Sequence, residues 1–190
     1  MTETDTPPPA ESAAPAPANG KDKDAIASLA GQIKHASPGV VARLRRAHPQ
    51  QDSRSALFEA EWMLQTAHIH PRSDDERQRW ALALHCLAIA QGQHDPRSVA
   101  EPGAVLARLR FSEARLRQLV EADEHLLADL MPRIARRLAA AGAALNWWPL
   151  VDLLLHTGTE REAIADKARQ RLVQQFLRAQ TASANTAPST

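Results

Sequence analysis

From residue 21 to residue 180, nearly every segment repeats its apolar residues at intervals of three and four, and none sustains the alternation of a half-buried strand. A stripe of that period can be buried only along one face of a helix, so the chain is restricted to packed helices. In the segment from Asp123 to Leu145 the stripe is Leu127, Leu130, Ile134, Leu138, Ala141 and Leu145, all expected to be buried. Composition points the same way: tyrosine is absent, Val and Thr are sparse, and the helix formers Ala, Leu, Arg and Gln dominate.

Local signals mark where the helices start and stop. Ser73 with Glu76 forms a capping box, and Gly92 follows the helix it opens. Ser112 is placed to cap a second helix, and Asn146 a third that tolerates Pro149 in its first turn. Gly158 suits a left-handed helix end, and Thr159 with Glu162 opens the last helix. The expected fold is an all-α bundle of about eight or nine helices in an N-terminal and a C-terminal group.

Residues 1–20 are rich in Pro, Ala, Ser and Thr and nearly free of large apolar groups, so they are expected to be a disordered tail. Residues 181–190 read the same way, leaving residues 21–180 as the helical domain. Within it, Gln91 to Gly103 combines proline, glycine and polar residues. It is expected to be a loop between the two helical groups, poorly ordered until something binds it.

Few residues have the spacing of catalytic or metal chemistry. His68 and His70 stand two apart beside Pro71, and the remaining histidines are scattered, so no metal site or cofactor is expected. The single cysteine, Cys86, lies in the apolar run WALALHCLAIA and reads as core. One cysteine also excludes an internal disulfide and fits a reducing cytoplasm. No glycine-rich phosphate loop, no nucleophile elbow and no apolar pair of carboxylates is present, so no enzyme is expected. No apolar run is long enough for a membrane span, and no secretory signal opens the chain. Trp62 and Trp80 fall among apolar neighbours and read as core, while Trp147 and Trp148 point about 100° apart on a helix, so at least one is expected to be buried and the other can lie near the surface.

The charged residues are more informative. Net charge is only +1, yet from Pro38 to Arg178 there are 20 Lys and Arg against 17 Asp and Glu, and 19 of those 20 cations are arginine. A guanidinium offers a planar fork of donors that suits phosphate oxygens. Arg133, Arg136 and Arg137 lie opposite the buried stripe of their segment, and Arg115 and Arg117 leave the two flanks of another, with Arg117 able to pair with Glu121. Arg43, Arg45 and Arg46 are exposed where Val40, Val41 and Leu44 face inward. Acids cluster elsewhere, at Asp74 to Glu76 and Glu121 to Glu124, leaving patches that attract nucleic-acid backbone without reading sequence. The junction VEADEHLL lacks the glycine-bearing turn of a helix-turn-helix.

The runs FSEARLRQLVEAD and ARRLAAAGAALNWWPLVDLLL, with SPGVVARLRRA upstream and the HCLA helix between, resemble the CasB family, the small subunit of the type I-E CRISPR Cascade complex. The resemblance spans roughly Ala25 to Gln180 and rests on Glu113, Arg115, Ala122-Asp123, Arg136-Arg137-Leu138 and Asn146-Trp147 in their joint order. The family often has Asp where Asn146 stands, and aromatics where His156-Thr157 follow. The resemblance implies a helical, non-catalytic subunit that sits as a tandem pair with a second copy of itself. It implies contact with the guide-RNA backbone subunits, the large subunit, the guide RNA and the target and displaced DNA strands. The residues expected to hold nucleic-acid backbone are Arg45, Arg46, Arg115, Arg133, Arg136 and Arg137. The other reading is a helical adaptor that binds only protein, its arginines serving solubility.

Overall fold

The structure, a computed structural model, describes residues 21–46, 48, 56–95, 100–142 and 145–186, and their side chains apart from 21–24 and 184–186. The tail at residues 1–20 and the end of the chain from 187 lie outside the described residues. Among those described, nine helices follow one another: α1 (Lys21–His35), α2 (Pro38–Arg46), α3 (Leu57–Thr66), α4 (Asp74–Ile89), α5 (Pro102–Arg108), α6 (Glu113–Val120), α7 (Glu124–Ala140), α8 (Trp148–His156) and α9 (Glu162–Thr186). The all-α bundle expected from the periodicity is therefore what forms. None of these helices is long and apolar enough to cross a membrane.

The caps act where the residues place them. Ser73 Oγ accepts from Glu76 N at 3.1 Å, while the Glu76 carboxylate accepts from Arg72 N at 2.8 Å, one residue before the usual reciprocal partner. Asp74, Asp75 and Glu76 fill the first turn of α4, where the helix dipole favours negative charge. Ser112 caps α6 through Arg115 N, and Asp123 Oδ1 accepts from Leu126 N at 2.8 Å to open α7. Asn146 Oδ1 accepts from Trp148 N at 3.0 Å as α8 begins. Gly92 and Gly158 both have positive φ, 67° and 71°, in the turns that end α4 and α8.

Packing centres on α4, against which α1, α2, α7 and α8 all lie, while α9 covers α5 and α8. Every residue from Leu82 to Ala90 is buried, His85 and Cys86 included. A helix enclosed on all sides has no polar stripe, and each large apolar side chain it buries stabilises the fold by about 1.5–3 kcal/mol.

Two expectations are corrected by this packing, those for Trp62 and for the stripe of α7. Trp62 is not core: α3 buries Ala60, Met63 and Leu64, and Trp62 lies off that stripe, 55% exposed. Trp147 and Trp148 are both buried, because α8 is covered almost all round, with Trp147 Nε1 donating to Gln93 O at 2.8 Å. The stripe of α7 ends at Leu138, since the helix stops at Ala140; Ala141 is exposed and Leu130 half-buried. The loop from Gln91 is strapped at both described ends to the segment before α8. Asp95 N donates to Leu145 O at 3.2 Å, Trp147 N to His94 Nδ1 at 3.2 Å and Asn146 N to Ala100 O at 3.4 Å, and α5 already starts at Pro102. Residues 96–99 lie outside the described residues.

At the other end, α9 passes residue 181 and continues to Thr186. Thr181 Oγ1 and Ser183 Oγ donate to the carbonyls of Leu177 and Ala179, so these polar residues bond within the helix.

Candidate nucleic-acid interface

The arginines divide into two classes by their partners. Arg79 and Arg169 are nearly buried and tie helices together. Arg79 donates to Thr157 O at 2.6 Å and Leu154 O at 3.3 Å, and pairs with Glu124 and with Asp75 at 3.4 Å. Arg169 meets Glu162 at 2.5 Å, Asp166 at 2.8 Å and Thr157 Oγ1 at 3.0 Å. The Glu162 carboxyl is held below its usual range chiefly by that hydrogen bond from Arg169. Arg43 pairs with Glu59 at 2.5 Å, and Arg77 with Glu61 at 2.6 Å and Asp74 at 3.0 Å. None of Arg45, Arg46, Arg115, Arg133, Arg136 and Arg137 enters an ion pair among the described residues. The same holds for Arg117, whose pairing with Glu121 does not form.

Arg45 and Arg46 are exposed at the C-terminal end of α2. That end is fastened to the core by two histidines. His85, inside α4, brings Nδ1 to 2.8 Å from Leu44 O, and His48, just beyond α2, brings Nε2 to 3.3 Å from Ala128 O in α7. A carbonyl accepts only, so Nδ1 of His85 and Nε2 of His48 each carry a hydrogen. The two rings meet edge to face at 5.6 Å.

The acceptor on Ala128 is available for a sequence-level reason. In a regular helix Ala128 O would receive the N–H of residue 132, but that residue is Pro132, buried inside α7. His48 thus occupies a carbonyl that proline leaves open.

Burial is the largest influence on both His85 and Cys86, lowering the pKa of the first and raising that of the second, and Arg136 acts on each electrostatically as a smaller influence. Burial pushes His85 below its usual value and so favours the neutral imidazole. Burial pushes the Cys86 thiol far up, which fits a core residue and not a nucleophile. His85 brings the end of α2, with Arg45 and Arg46, to the part of α4 that also senses Arg136, and exposed Arg133 is one turn earlier on α7.

The remaining two candidates sit apart. Arg115 is exposed on the short helix α6, which is anchored by Leu116 and Leu119. Arg137 is half-buried and turned toward the α5–α6 corner, where it donates to Leu109 O and lies 5.8 Å from the centroid of Phe111. Its guanidinium is thus already engaged within the fold.

Sequence reasoning missed the histidine bracket. The available signal was a polar residue, His85, within an apolar run, together with a proline inside a strongly striped helix. It also missed the exposed aromatic face of α3, for which α3 is too short to show a clear stripe. Among the described residues no group of three or more His, Cys, Asp and Glu could hold a metal ion.

The family model for CRISPR-associated protein Cse2 matches residues 40–177, from α2 well into α9, and includes all six candidate arginines. No curated protein and no solved structure matches the chain. With well over half of its length matched, the chain belongs to the Cse2 family, the structural small subunits of the type I-E CRISPR Cascade complex.

Proposed function

We propose that this Cascade small subunit holds nucleic-acid backbone without sequence preference and so prolongs the R-loop. The reading rests on one contrast. Arg43, Arg77, Arg79 and Arg169 carry carboxylate partners, whereas Arg45, Arg46, Arg133 and Arg136 are exposed and enter no ion pair among the described residues. A phosphate meeting such a guanidinium displaces water and counterions and does not have to break an internal ion pair. Forming an R-loop exchanges one duplex for another of nearly equal stability, so a few backbone contacts decide whether the open state persists. The contacted strands are the guide RNA and the target and displaced DNA. The partners are the guide-RNA backbone subunits, the large subunit and a second copy of this chain. Arg115 extends the contact from α6, and Arg137 acts by bracing the corner beneath it.

The test is fluorescence anisotropy with two unrelated single-stranded DNAs and a matched duplex, titrated across salt. Wild type is compared with a variant carrying Arg45→Ala, Arg46→Ala, Arg133→Ala and Arg136→Ala. Both strands should bind wild type alike, with log K falling against log salt by about 0.7 per phosphate contacted. The variant should lose affinity and flatten that slope. An unchanged slope would leave the protein-only adaptor as the better reading.

A further inference from the structure

A groove of about 970 Å³ lies between the start of α4 and the turn joining α8 to α9, with α1 and the link from α3 to α4 also lining it. Ligand sites typically enclose about 300–1,000 Å³, mostly apolar, with a few polar groups that fix orientation. Here Ile69, Trp80 and Leu155 supply apolar surface, and His156 reaches the groove among them. His156 is only 8% exposed, yet neither of its ring nitrogens has a hydrogen-bond partner among the described residues. A buried imidazole left without partners costs stability unless something completes it.

Charged and titratable groups come to the groove from two sides. His68, His70 and Arg72 precede α4, and Asp75, Glu76 and Arg79 lie in its first turns. The turn before α9 adds Glu160 and Arg161. Several of these are already engaged. The Glu76 carboxylate accepts from Arg72 N at 2.8 Å, and Arg79 pairs with Asp75 at 3.4 Å and with Glu124. Arg72 and Arg161 are exposed and enter no ion pair among the described residues. At the His156 ring the balance of charge is positive. After burial, Arg161 and then Arg79 disfavour a proton there, and Glu76 opposes them by less, so the pKa is lowered to about 4. Glu160, which is exposed, is not among the groups that act on the ring. A neutral, unpartnered imidazole in a positive field is a receptor for an anion.

We propose that this groove binds a small organic anion, its carboxylate or phosphate head received by Arg161 and the His156 ring and its apolar body laid against Ile69, Trp80 and Leu155. An anion beside the ring reverses the balance of charge there. His156 then takes up a proton as the ligand binds, and the head group gains a charge-assisted donor. Affinity therefore rises as pH falls below the ring's pKa in the complex, and levels off near pH 4, where the free ring is already charged. None of the six candidate arginines of the nucleic-acid interface lines the groove, so the two sites are separable by mutation.

The experiment titrates the full chain calorimetrically with benzoate, phenyl phosphate and inorganic phosphate, at about pH 7.5 and about pH 5.5, which bracket the range where a histidine titrates. Benzoate stays ionised throughout, so its pH dependence reports the protein. It should bind with a Kd of about 1 mM or tighter at the lower pH, as ligand efficiency allows for a molecule of its size. Its affinity should be about three- to tenfold weaker at the higher pH. Inorganic phosphate, which has the head without the apolar body, should bind about tenfold more weakly than phenyl phosphate. The tighter of the two organic anions identifies the head group, and either supports the site. Arg161→Gln, a change at an exposed and unpaired side chain, should weaken the tighter ligand about tenfold. His156→Gln should abolish the pH dependence of benzoate binding. Arg171→Gln, exposed on α9 and outside the groove, should bind like wild type. The proposal is overturned if neither organic anion binds at about 10 mM, far above the expected Kd. It is equally overturned if benzoate binds independently of pH, or if Arg171→Gln weakens binding as much as Arg161→Gln, which would reduce the effect to general surface charge.

Discussion

The pairing of His48 with the carbonyl opposite Pro132 predicts that the two residues are energetically coupled, although they lie far apart in sequence. Replacing His48 by Ala removes the donor that sits 3.3 Å from Ala128 O, in a residue that is only 2% exposed. A buried carbonyl left without a donor costs about 1–3 kcal/mol, and the lost edge contact with His85 adds to it. In a Pro132→Ala background the helix supplies its own N–H to Ala128 O, so the same His48→Ala change should lose only the packing part. The coupling energy of the double-mutant cycle should be about 1 kcal/mol or more. Pro132→Ala alone should stabilise α7, because an interior proline costs a helix up to about 3 kcal/mol. Urea unfolding of the four proteins measures all of these terms. If the His48→Ala cost is the same in both backgrounds, His48 is not the substitute donor and the account of this junction is wrong.

Two glycines should respond oppositely to the same added methyl. A Cβ on Gly103 would stand 2.3 Å from Leu172 O and 2.8 Å from Gln175 Cβ, forcing α5 off α9, so Gly103→Ala should destabilise by about 1–3 kcal/mol. Gly31 has open space around its Cβ position in mid-α1, and Gly31→Ala should stabilise by about 0.5–1 kcal/mol, both read from the midpoint of urea unfolding. His156 is buried, and its pKa is lowered to about 4 by burial first, then by Arg161 and Arg79. The unfolded chain therefore binds the proton more readily. Stability contributed by the neutral imidazole is complete above about pH 6.5 and declines toward pH 4, by a total on the order of 3 kcal/mol. His156→Gln should flatten that decline in a pH series of melting curves; a profile as steep as wild type would refute it. Trp147→Phe keeps most of the ring but removes the donor to Gln93 O, so it should cost about 1–3 kcal/mol and speed amide exchange at Gln93 to Asp95.

The parts of the molecule that could be read in sequence were those set by local rules. Ser73, Ser112 and Asn146 accept backbone N–H groups where their side chains permit it, and Gly158 ends α8 because that turn requires a positive φ. The stripe of α7 was legible because one side of that helix faces solvent. The C-terminal half of α4 and most of α8 were harder, since a helical stretch enclosed on all sides carries no polar face to orient it. The aromatic face of α3 was hidden because exposure of Trp62 depends on which neighbours α3 meets, a tertiary fact. For the interface, the unpaired arginines were visible as cations without nearby acids. The distinction between Arg137, turned onto Leu109 O and Phe111, and Arg133 and Arg136, facing solvent, depends on where α5 and α6 pack. The His48–His85 bracket joins residues from three helical neighbourhoods and has no local signature beyond the proline.

The central claim, that exposed unpaired arginines of this small subunit hold the opened strands, is best tested inside the assembled complex. Cascade would be reconstituted with the wild-type subunit or with the variant carrying Arg45→Ala, Arg46→Ala, Arg133→Ala and Arg136→Ala. Its R-loop on a matched duplex would be followed by permanganate reactivity of displaced-strand thymines after addition of competitor. Both complexes should contain the subunit in equal amount, and the variant R-loop should collapse about tenfold faster or more, as expected if roughly 1.4 kcal/mol or more of backbone contact is lost. A fully assembled variant complex whose R-loop lasts as long as wild type would contradict the claim.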